Sequence, residues 1–380
     1  INKIIAAMQN KKFLILLATA LCSFLTPIAI SSVNIALPAI IEEFNINSVT
    51  AGWIVTAYLF ANGVFLAPFG KLGDLRGKFK IFKFGVLLYL LSSLFIIMCF
   101  SIMPLLIFRV IQGLSAAMMW SVSIAILAAA YPINERGKVL GINIAAVYLG
   151  LSLGPFFGGV ITYNFSWRYI FVFISIISFA LFIVTFFLIK KIEESPSSAK
   201  IDTIGISTYI ASITALLLGL TTITQKNGIL LIITGAILLI IFIIWEYNFF
   251  NPMIDIKIFS NNRVFIFSNL AALINYSSTF AVAFLMSLYL QYVKGLNPQK
   301  SGILLIFQPF AQFIITPYAG RLSDKIKPAY LASFGMLLTV FGLILLTFTR
   351  QSTPLLFFII ALILLGVGFV FFPRLILMLL

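Results

Sequence analysis

The sequence contains no histidine and only two cysteines among its 380 residues. Histidine is the commonest general base and metal ligand near neutral pH, so its absence excludes most membrane-enzyme chemistry. Cys22 and Cys99 each lie inside an apolar run and form no CxxC pair, so we expect neither a disulfide nor a metal site. No cofactor motif is present. The composition therefore predicts a protein that is not an enzyme and that holds no metal or cofactor.

Charged residues are also scarce. They make up 9% of the chain, against about a quarter in globular proteins, while 62% of residues are hydrophobic. A bilayer core needs about 20 consecutive apolar residues in a helix, and runs of that length recur along the whole chain. We therefore predict an all-α integral membrane protein that is embedded in the lipid bilayer. The predicted spans are 13–37, 51–70, 81–100, 105–130, 139–162, 168–189, 204–224, 228–247, 264–290, 301–320, 328–349 and 354–380.

The net charge of +15 is a topology signal. If the amino terminus is cytoplasmic, eighteen Lys and Arg residues fall at the inside ends and loops of these spans, and five fall outside. Such an excess on one side fixes orientation by the positive-inside rule. This distribution excludes nucleic acid as a partner. It predicts a multi-pass protein of the cytoplasmic membrane with its amino terminus in the cytoplasm.

A cationic loop between the second and third spans is repeated later in the chain. It runs Gly70-Lys71-Leu72-Gly73-Asp74-Leu75-Arg76-Gly77-Lys78, and Gly320-Arg321-Leu322-Ser323-Asp324 resembles it at an offset of 250 positions. Residues 52–88 continue the match to residues 302–338 without a gap. Duplicated helix blocks in one membrane chain are typical of transporters that alternate access around a central site.

The position of the repeat predicts the domain organisation. Residues 190–203 contain Glu193-Glu194-Ser195-Pro196 and read as a solvated cytoplasmic linker after an amino-terminal six-helix bundle at 1–189. The loop follows the second span and its copy follows the tenth, so two inserted helices with their loop occupy 204–263. Residues 264–380 then form a carboxy-terminal bundle of which four helices are present, which predicts an incomplete fourteen-span protein.

Four motifs resemble the major facilitator superfamily, and within it the fourteen-helix drug:proton antiporter branch. They are Gly70-x-Leu72-x-Asp74-x-x-Gly77-Lys78, Arg109-x-x-Gln112-Gly113, Gly150-x-x-x-Gly154-Pro155-x-x-Gly158-Gly159, and Leu37-Pro38-x-Ile40 followed by Trp53-x-x-Thr56-Ala57-Tyr58. The resemblance implies the major facilitator fold, in which two pseudo-symmetric helical bundles surround a midplane cavity. Here two extra helices would separate the bundles.

The resemblance assigns roles to the motif residues. It implies that the cationic loop is a cytoplasmic latch between the halves, formed by Gly70, Asp74, Arg76, Gly77 and Lys78 with Asp324 from the copy. From charge alone, the same loop is a solvated, topology-setting turn in which Asp74 pairs locally.

The resemblance also places Arg109 and Gln112 in the transport path. A lone Arg at this depth could alternatively extend its side chain to the membrane interface. Unpaired amides facing lipid are costly, so several further polar side chains should line a cavity, with helix–helix hydrogen bonding as the equal alternative: Asn34, Asn275, Gln308 and Gln312.

The glycine motif predicts a hinge in span 5. Its small residues form a stripe that permits close helix packing, and the resemblance implies that this seam controls opening on one side. The stripe comprises Gly150, Gly154, Pro155, Gly158 and Gly159. Near the end of span 8, Trp245-Glu246-Tyr247 predicts interfacial anchoring, with proton relay as the alternative.

One position departs from the resemblance. Members of this branch commonly carry an acid in the first helix two turns before Ala36-Leu37-Pro38, and here that position is Ala29. None of the ten acidic residues falls in the first six predicted spans.

The function predicted from the sequence is secondary export of small amphipathic molecules or drugs, coupled to protons by antiport. One alternative is a symporter or facilitator for a polar metabolite. The alternative of another class is a membrane sensor or scaffold that transports nothing.

Overall fold

The computed structural model describes residues 2–189, 201–224, 226–257, 262–323, 326 and 328–371. Throughout these ranges every regular element is helical. The first eight helices are α1 Asn2–Phe44, α2 Ser48–Arg76, α3 Lys78–Ile97, α4 Ile102–Ala130, α5 Ile133–Asn164, α6 Arg168–Ile183, α7 Thr203–Thr221 and α8 Lys226–Asn248. The remainder are α9 Arg263–Leu288, α10 Pro298–Leu305, α11 Phe307–Ser323, α12 Pro328–Thr347 and α13 Leu355–Phe371.

Ten of the described helices are long and apolar enough to cross a membrane, and α13 is a shorter apolar helix. The all-α prediction is confirmed. Within the predicted span 301–320, α10 ends at Leu305 and α11 begins at Phe307, and Ile306 between them keeps helical dihedrals (φ −65°, ψ −28°). The helices α6 and α9 each continue into a short π-helical turn, over Val184–Leu188 and Tyr289–Val293.

Helix boundaries follow from local chemistry. Gly77 has a φ of 105°, a conformation that favours glycine, and it separates α2 from α3. Asn297 caps α10 by accepting a hydrogen bond from the Lys300 amide at 2.8 Å, and Pro298 supplies the preset first turn. Proline is tolerated inside membrane helices, as in α1, α2 and α5.

The helices group into two compact units. The first contains the described residues of 1–22, 53–140 and 175–261, and the second contains those of 23–52, 141–174 and 262–380. The boundaries fall inside α1, α2, α5 and α6, so each of these helices contributes residues to both units. The domain boundaries predicted from the sequence remain a prediction.

Close packing between helices holds each unit together. In the second unit, Ile35 of α1 is buried with residues from α9, α10 and α13 in one cluster, whose members include Met286, Leu305 and Phe358. In the first unit, Ser212 of α7 donates a hydrogen bond to the Gly235 carbonyl of α8 at 2.8 Å. A Cβ on Gly235 would lie 2.8 Å from Leu216 atoms, so small residues allow these inserted helices to pack closely.

Candidate functional site

Arg109 is completely buried in the first unit. Its Nε donates to the Ile54 carbonyl at 2.9 Å, and its Nη1 donates to Gln112 Oε1 at 2.6 Å. The guanidinium also lies over the Tyr58 ring, 4.6 Å from the ring centroid. These contacts hold the side chain between α2 and α4, where it is enclosed by protein. These three partners are electrically neutral, so they stabilise the guanidinium without cancelling its positive charge.

Gln112 extends this network to a third helix. Its Nε2 donates to Ser93 Oγ of α3 at 2.8 Å. Next to it, a Cβ on Gly113 would lie 2.1 Å from the Tyr58 carbonyl oxygen, so α4 approaches the α2 backbone here as only glycine allows. The structure therefore brings Arg109 and Gln112 together, as their spacing of three residues on one helix predicts.

The other four predicted path residues lie in the second unit and are all buried: Asn34, Asn275, Gln308 and Gln312. Among the described residues, Asn34 Oδ1 has no hydrogen-bond partner, and neither side-chain polar atom of Asn275 has one. A buried polar group left unpaired costs about 1–3 kcal/mol. Such groups are suited to contact with a polar ligand or with water.

The cationic loop contains a local ion pair. Lys78 Nζ lies 2.8 Å from Asp74 Oδ1, across the break between α2 and α3. Arg76 is exposed, and a Cβ on Gly70 would meet Ser121 only at ordinary contact distance. Asp324, the predicted partner from the repeat, lies outside the described residues. The pairing expected for Asp74 is present, while the latch role stays a prediction.

The glycine motif of α5 contacts two helices of the second unit. On one face, a Cβ on Gly150 would lie 2.5 Å from the Phe24 carbonyl of α1, and one on Gly158 would lie 2.6 Å from the Ser32 carbonyl. Between them, Ser32 Oγ donates to the Gly154 carbonyl at 2.9 Å. The stripe therefore packs α5 against α1 backbone to backbone.

The second face of the same motif packs on α10. A Cβ on Gly159 would lie 2.4 Å from the Pro298 carbonyl, and one on Gly302 would lie 2.1 Å from the Pro155 carbonyl. Nearby, Ser287 of α9 donates to the Asn34 carbonyl of α1 at 2.7 Å. Gln291 donates to the Ile35 carbonyl at 3.1 Å. Helices from the amino-terminal and carboxy-terminal parts of the chain thus meet along one narrow seam.

Polar contacts continue to the end of this seam. Trp167 Nε1 donates to Glu43 Oε2 at 2.6 Å, and Arg168 forms an ion pair with the same carboxylate. Lys294 donates to the Gln351 and Thr353 carbonyls between α12 and α13. Sequence reasoning missed these partners. It also missed Ser32 and its neighbour Ser31, whose Oγ donates to the Gly150 carbonyl at 3.4 Å. Adjacent serines in an apolar helix would have signalled a close helix contact.

A long chain of apolar helices with buried polar networks is the architecture of a polytopic membrane protein. Residues 19–380 match the Major Facilitator Superfamily, and the chain belongs to that family. The predictions of superfamily and fold are confirmed, and membership of a transporter family supports a protein that is not an enzyme.

Curated relatives carry transporter names. The chain is 31% identical to the riboflavin transporter RibZ of Clostridioides difficile, over 95% of this chain and 78% of that protein. It is 27% identical to the multidrug resistance protein Stp of Mycobacterium tuberculosis, over 95% of this chain and 67% of Stp. Against the transporter YhcA of Bacillus subtilis it is 28% identical and spans 58% of that protein's length.

Two solved structures share the fold. A bacterial homologue of the human lysosomal transporter Spinster, in an inward-facing and unoccupied conformation, has a TM-score of 0.66 at 16% identity, covering 96% of this chain and 75% of that one. The POT family transporter PepTSo has a TM-score of 0.67 at 14% identity, covering 97% of this chain and 83% of that one. At these identities the likeness concerns the fold alone.

Proposed function

We propose that this protein exports small amphipathic organic molecules across the cytoplasmic membrane by alternating access. The observation that carries the proposal is the seam of the second unit, where the α5 motif packs on α1 with one face and on α10 with the other. A seam of glycine backbones and few side chains can separate and re-form with little side-chain rearrangement. Relatives with multidrug-resistance names support an amphipathic organic substrate.

In this mechanism the seam is the outer gate. With the amino terminus in the cytoplasm, as the positive-inside charge predicts, the ends of α1 and α9 would lie outside, together with Trp167 and Lys294. Closing the seam would leave the transport path accessible only from the cytoplasm. At the opposite membrane face, the loop with Gly70, Asp74, Arg76, Gly77 and Lys78 would act as the inner latch. Its Asp74–Lys78 pair would break and re-form as the carrier switches between conformations.

The transport path would use the buried polar side chains. Arg109 offers a positive charge and hydrogen-bond donors, and Gln112 fixes its orientation. Asn34, Asn275, Gln308 and Gln312 offer amide groups suited to uncharged polar parts of a substrate. Proton coupling would require an acid other than a first-helix one, because Ala29 occupies that position.

A second candidate is transport of a polar metabolite related to riboflavin. RibZ is 31% identical to this chain over nearly its whole length. Ala29 stands where related antiporters carry a first-helix acid, which fits transport that uses no proton site at that position. Riboflavin combines a planar aromatic ring system with a polyhydroxy chain, and buried amides are suitable partners for its hydroxyl groups.

The two candidates are separated in everted membrane vesicles that carry the full-length protein. We expect ATP-independent accumulation of a fluorescent lipophilic cation that increases when a proton gradient is applied. The metabolite candidate instead predicts movement of labelled riboflavin that is competed by unlabelled riboflavin, and none of the cation. Vesicles that move neither compound above a no-protein control would contradict both candidates.

Asp74→Asn tests the latch within the same assay. The Asp74–Lys78 pair is exposed, and such pairs contribute little to stability. We therefore expect transport to fall several-fold while the thermal unfolding temperature stays unchanged. The matched control is Asp255→Asn, which removes an exposed acid outside the loop. Equal transport by Asp74→Asn and the wild type would refute the latch.

A further inference from the structure

Two buried carboxyl groups face each other in the inserted helical hairpin of the first unit. Asp202 precedes α7 and Glu246 lies near the end of α8, and each is only 2% exposed. A Cβ on Gly205 would lie 2.4 Å from Asp202 Oδ2 and 2.4 Å from Glu246 Oε1, which places both oxygens beside one point. The sequence suggested a solvated linker and an interfacial anchor at these positions. Both side chains are instead enclosed by protein.

Three N–H groups serve this pair. Asp202 accepts from the Gly205 amide at 2.7 Å and from Trp245 Nε1 at 3.1 Å. Glu246 Oε2 accepts from the Ile254 amide at 3.2 Å. Glu246 Oε1, which faces Asp202 Oδ2, has no hydrogen-bond partner within the described residues.

Within the described residues, the charged groups near the pair make contacts with other partners. Lys71 of α2 donates to the Asn251 side chain and the Pro252 carbonyl, Asp255 is exposed, and Lys257 lies over the Tyr247 ring. In the described part of the chain, neither Asp202 nor Glu246 forms an ion pair with a Lys or Arg. Two adjacent buried carboxylates without a counterion cannot both stay ionised, because desolvation and like-charge repulsion both oppose it.

We propose that Asp202 and Glu246 form a proton-binding site that holds one proton between the two carboxyl groups. The proton resides on Glu246 Oε1 and is donated to Asp202 Oδ2, which gives the unpaired oxygen its missing partner and leaves one negative charge on the pair. The three N–H donors stabilise that remaining charge. A metal ion would need oxygen ligands beyond these two carboxyl groups, whereas the other neighbours here are N–H donors.

The site is connected to the cationic loop through the exit segment, residues 249–257. The Ile254 amide binds Glu246, and three residues earlier Asn251 binds Lys71, at 2.8 Å from Nζ. The Pro252 carbonyl accepts from the same ammonium at 2.7 Å. Lys71 follows Gly70 directly and lies one helical turn before Asp74. Loss of the proton would leave two adjacent carboxylates that repel each other. Displacement of Glu246 away from Asp202 would move the exit segment that is bound to it and release Lys71.

The test uses purified full-length protein in liposomes, without any substrate. Infrared difference spectra between acidic and alkaline pH should contain the C=O stretch of a buried protonated carboxyl group that disappears as the pH rises. Glu246→Gln should remove this band, because the amide keeps a donor toward Asp202 but cannot titrate. Asp255→Asn should retain it. An unchanged band in both Glu246→Gln and Asp202→Asn would overturn the proposal.

The connection to the loop has a separate readout. Lysines are acetylated at a series of pH values, and the labelling of Lys71 is divided by that of exposed Lys80, which cancels the intrinsic pH dependence of amines. This ratio should rise several-fold with pH in the wild type and stay constant in Glu246→Gln. A ratio that rises equally in both proteins would show that the carboxyl pair does not control the accessibility of Lys71. Neither readout involves transport, so these results are independent of the fate of the proposed function.

Discussion

Replacing Arg109 by alanine is expected to reduce transport at least about tenfold, which corresponds to about 1.4 kcal/mol at the limiting step. The substitution removes the only charge of the network described around α2, α3 and α4. It also leaves the Ile54 carbonyl and Gln112 Oε1 without the donors they have now. Transport in everted vesicles, normalised to the amount of protein in the membrane, measures the effect.

Two comparisons separate charge from packing at this site. Arg109→Lys keeps the charge, but one ammonium cannot reproduce the geometry in which Nε and Nη1 serve two acceptors while the guanidinium stacks on Tyr58. We expect it to recover transport only in part. Lys80→Ala, at an exposed cation of α3, should behave as the wild type. Full transport by Arg109→Ala at normal abundance would exclude Arg109 from the path.

Gly158→Ala is expected to have the second large effect. The new methyl carbon would lie 2.6 Å from the Ser32 carbonyl and 2.7 Å from the Ser32 Cα, and both are backbone atoms that no rotamer change can move. Helix α5 must then separate from α1, and overpacking of this kind costs about 1–3 kcal/mol. The thermal unfolding temperature should fall, and transport should fall with it because the seam no longer closes.

The same helix supplies the control. Around Gly141 nothing lies within 4 Å of the position that a Cβ would take. Gly141→Ala therefore adds the same methyl group without a clash, and it favours helix slightly. It should retain both stability and transport. If Gly158→Ala and Gly141→Ala cannot be distinguished, the seam does not depend on the close approach of α5 and α1.

Much of this architecture could be predicted because a bilayer imposes strong rules on sequence. Apolar runs identified the helices, and the cationic Gly77 turn identified the α2–α3 boundary. The spacing of Arg109 and Gln112 predicted that they share one helix face. The fourteen-span organisation, the bundle boundaries and the latch remain predictions.

Other features could not be predicted because they depend on which helices meet. A glycine stripe indicates close packing, but only the fold identifies Ser32 of α1 and Pro298 of α10 as the surfaces it meets. Asp202 and Glu246 are 44 positions apart in the sequence, and each reads as a polar residue at a membrane boundary. Only the pairing of α7 with α8 places them together.

Alternating access at the seam is the central claim, and a distance measurement across it is the most direct test. Spin labels at Phe165 and Gln351, both exposed in the second unit, would be placed in a Cys22→Ala, Cys99→Ala background. Pulsed electron spin resonance would then record distances in liposomes with and without the transported compound. The account predicts two populations, one short and one longer, whose proportions change when the compound is added. A single distance that never changes would contradict it.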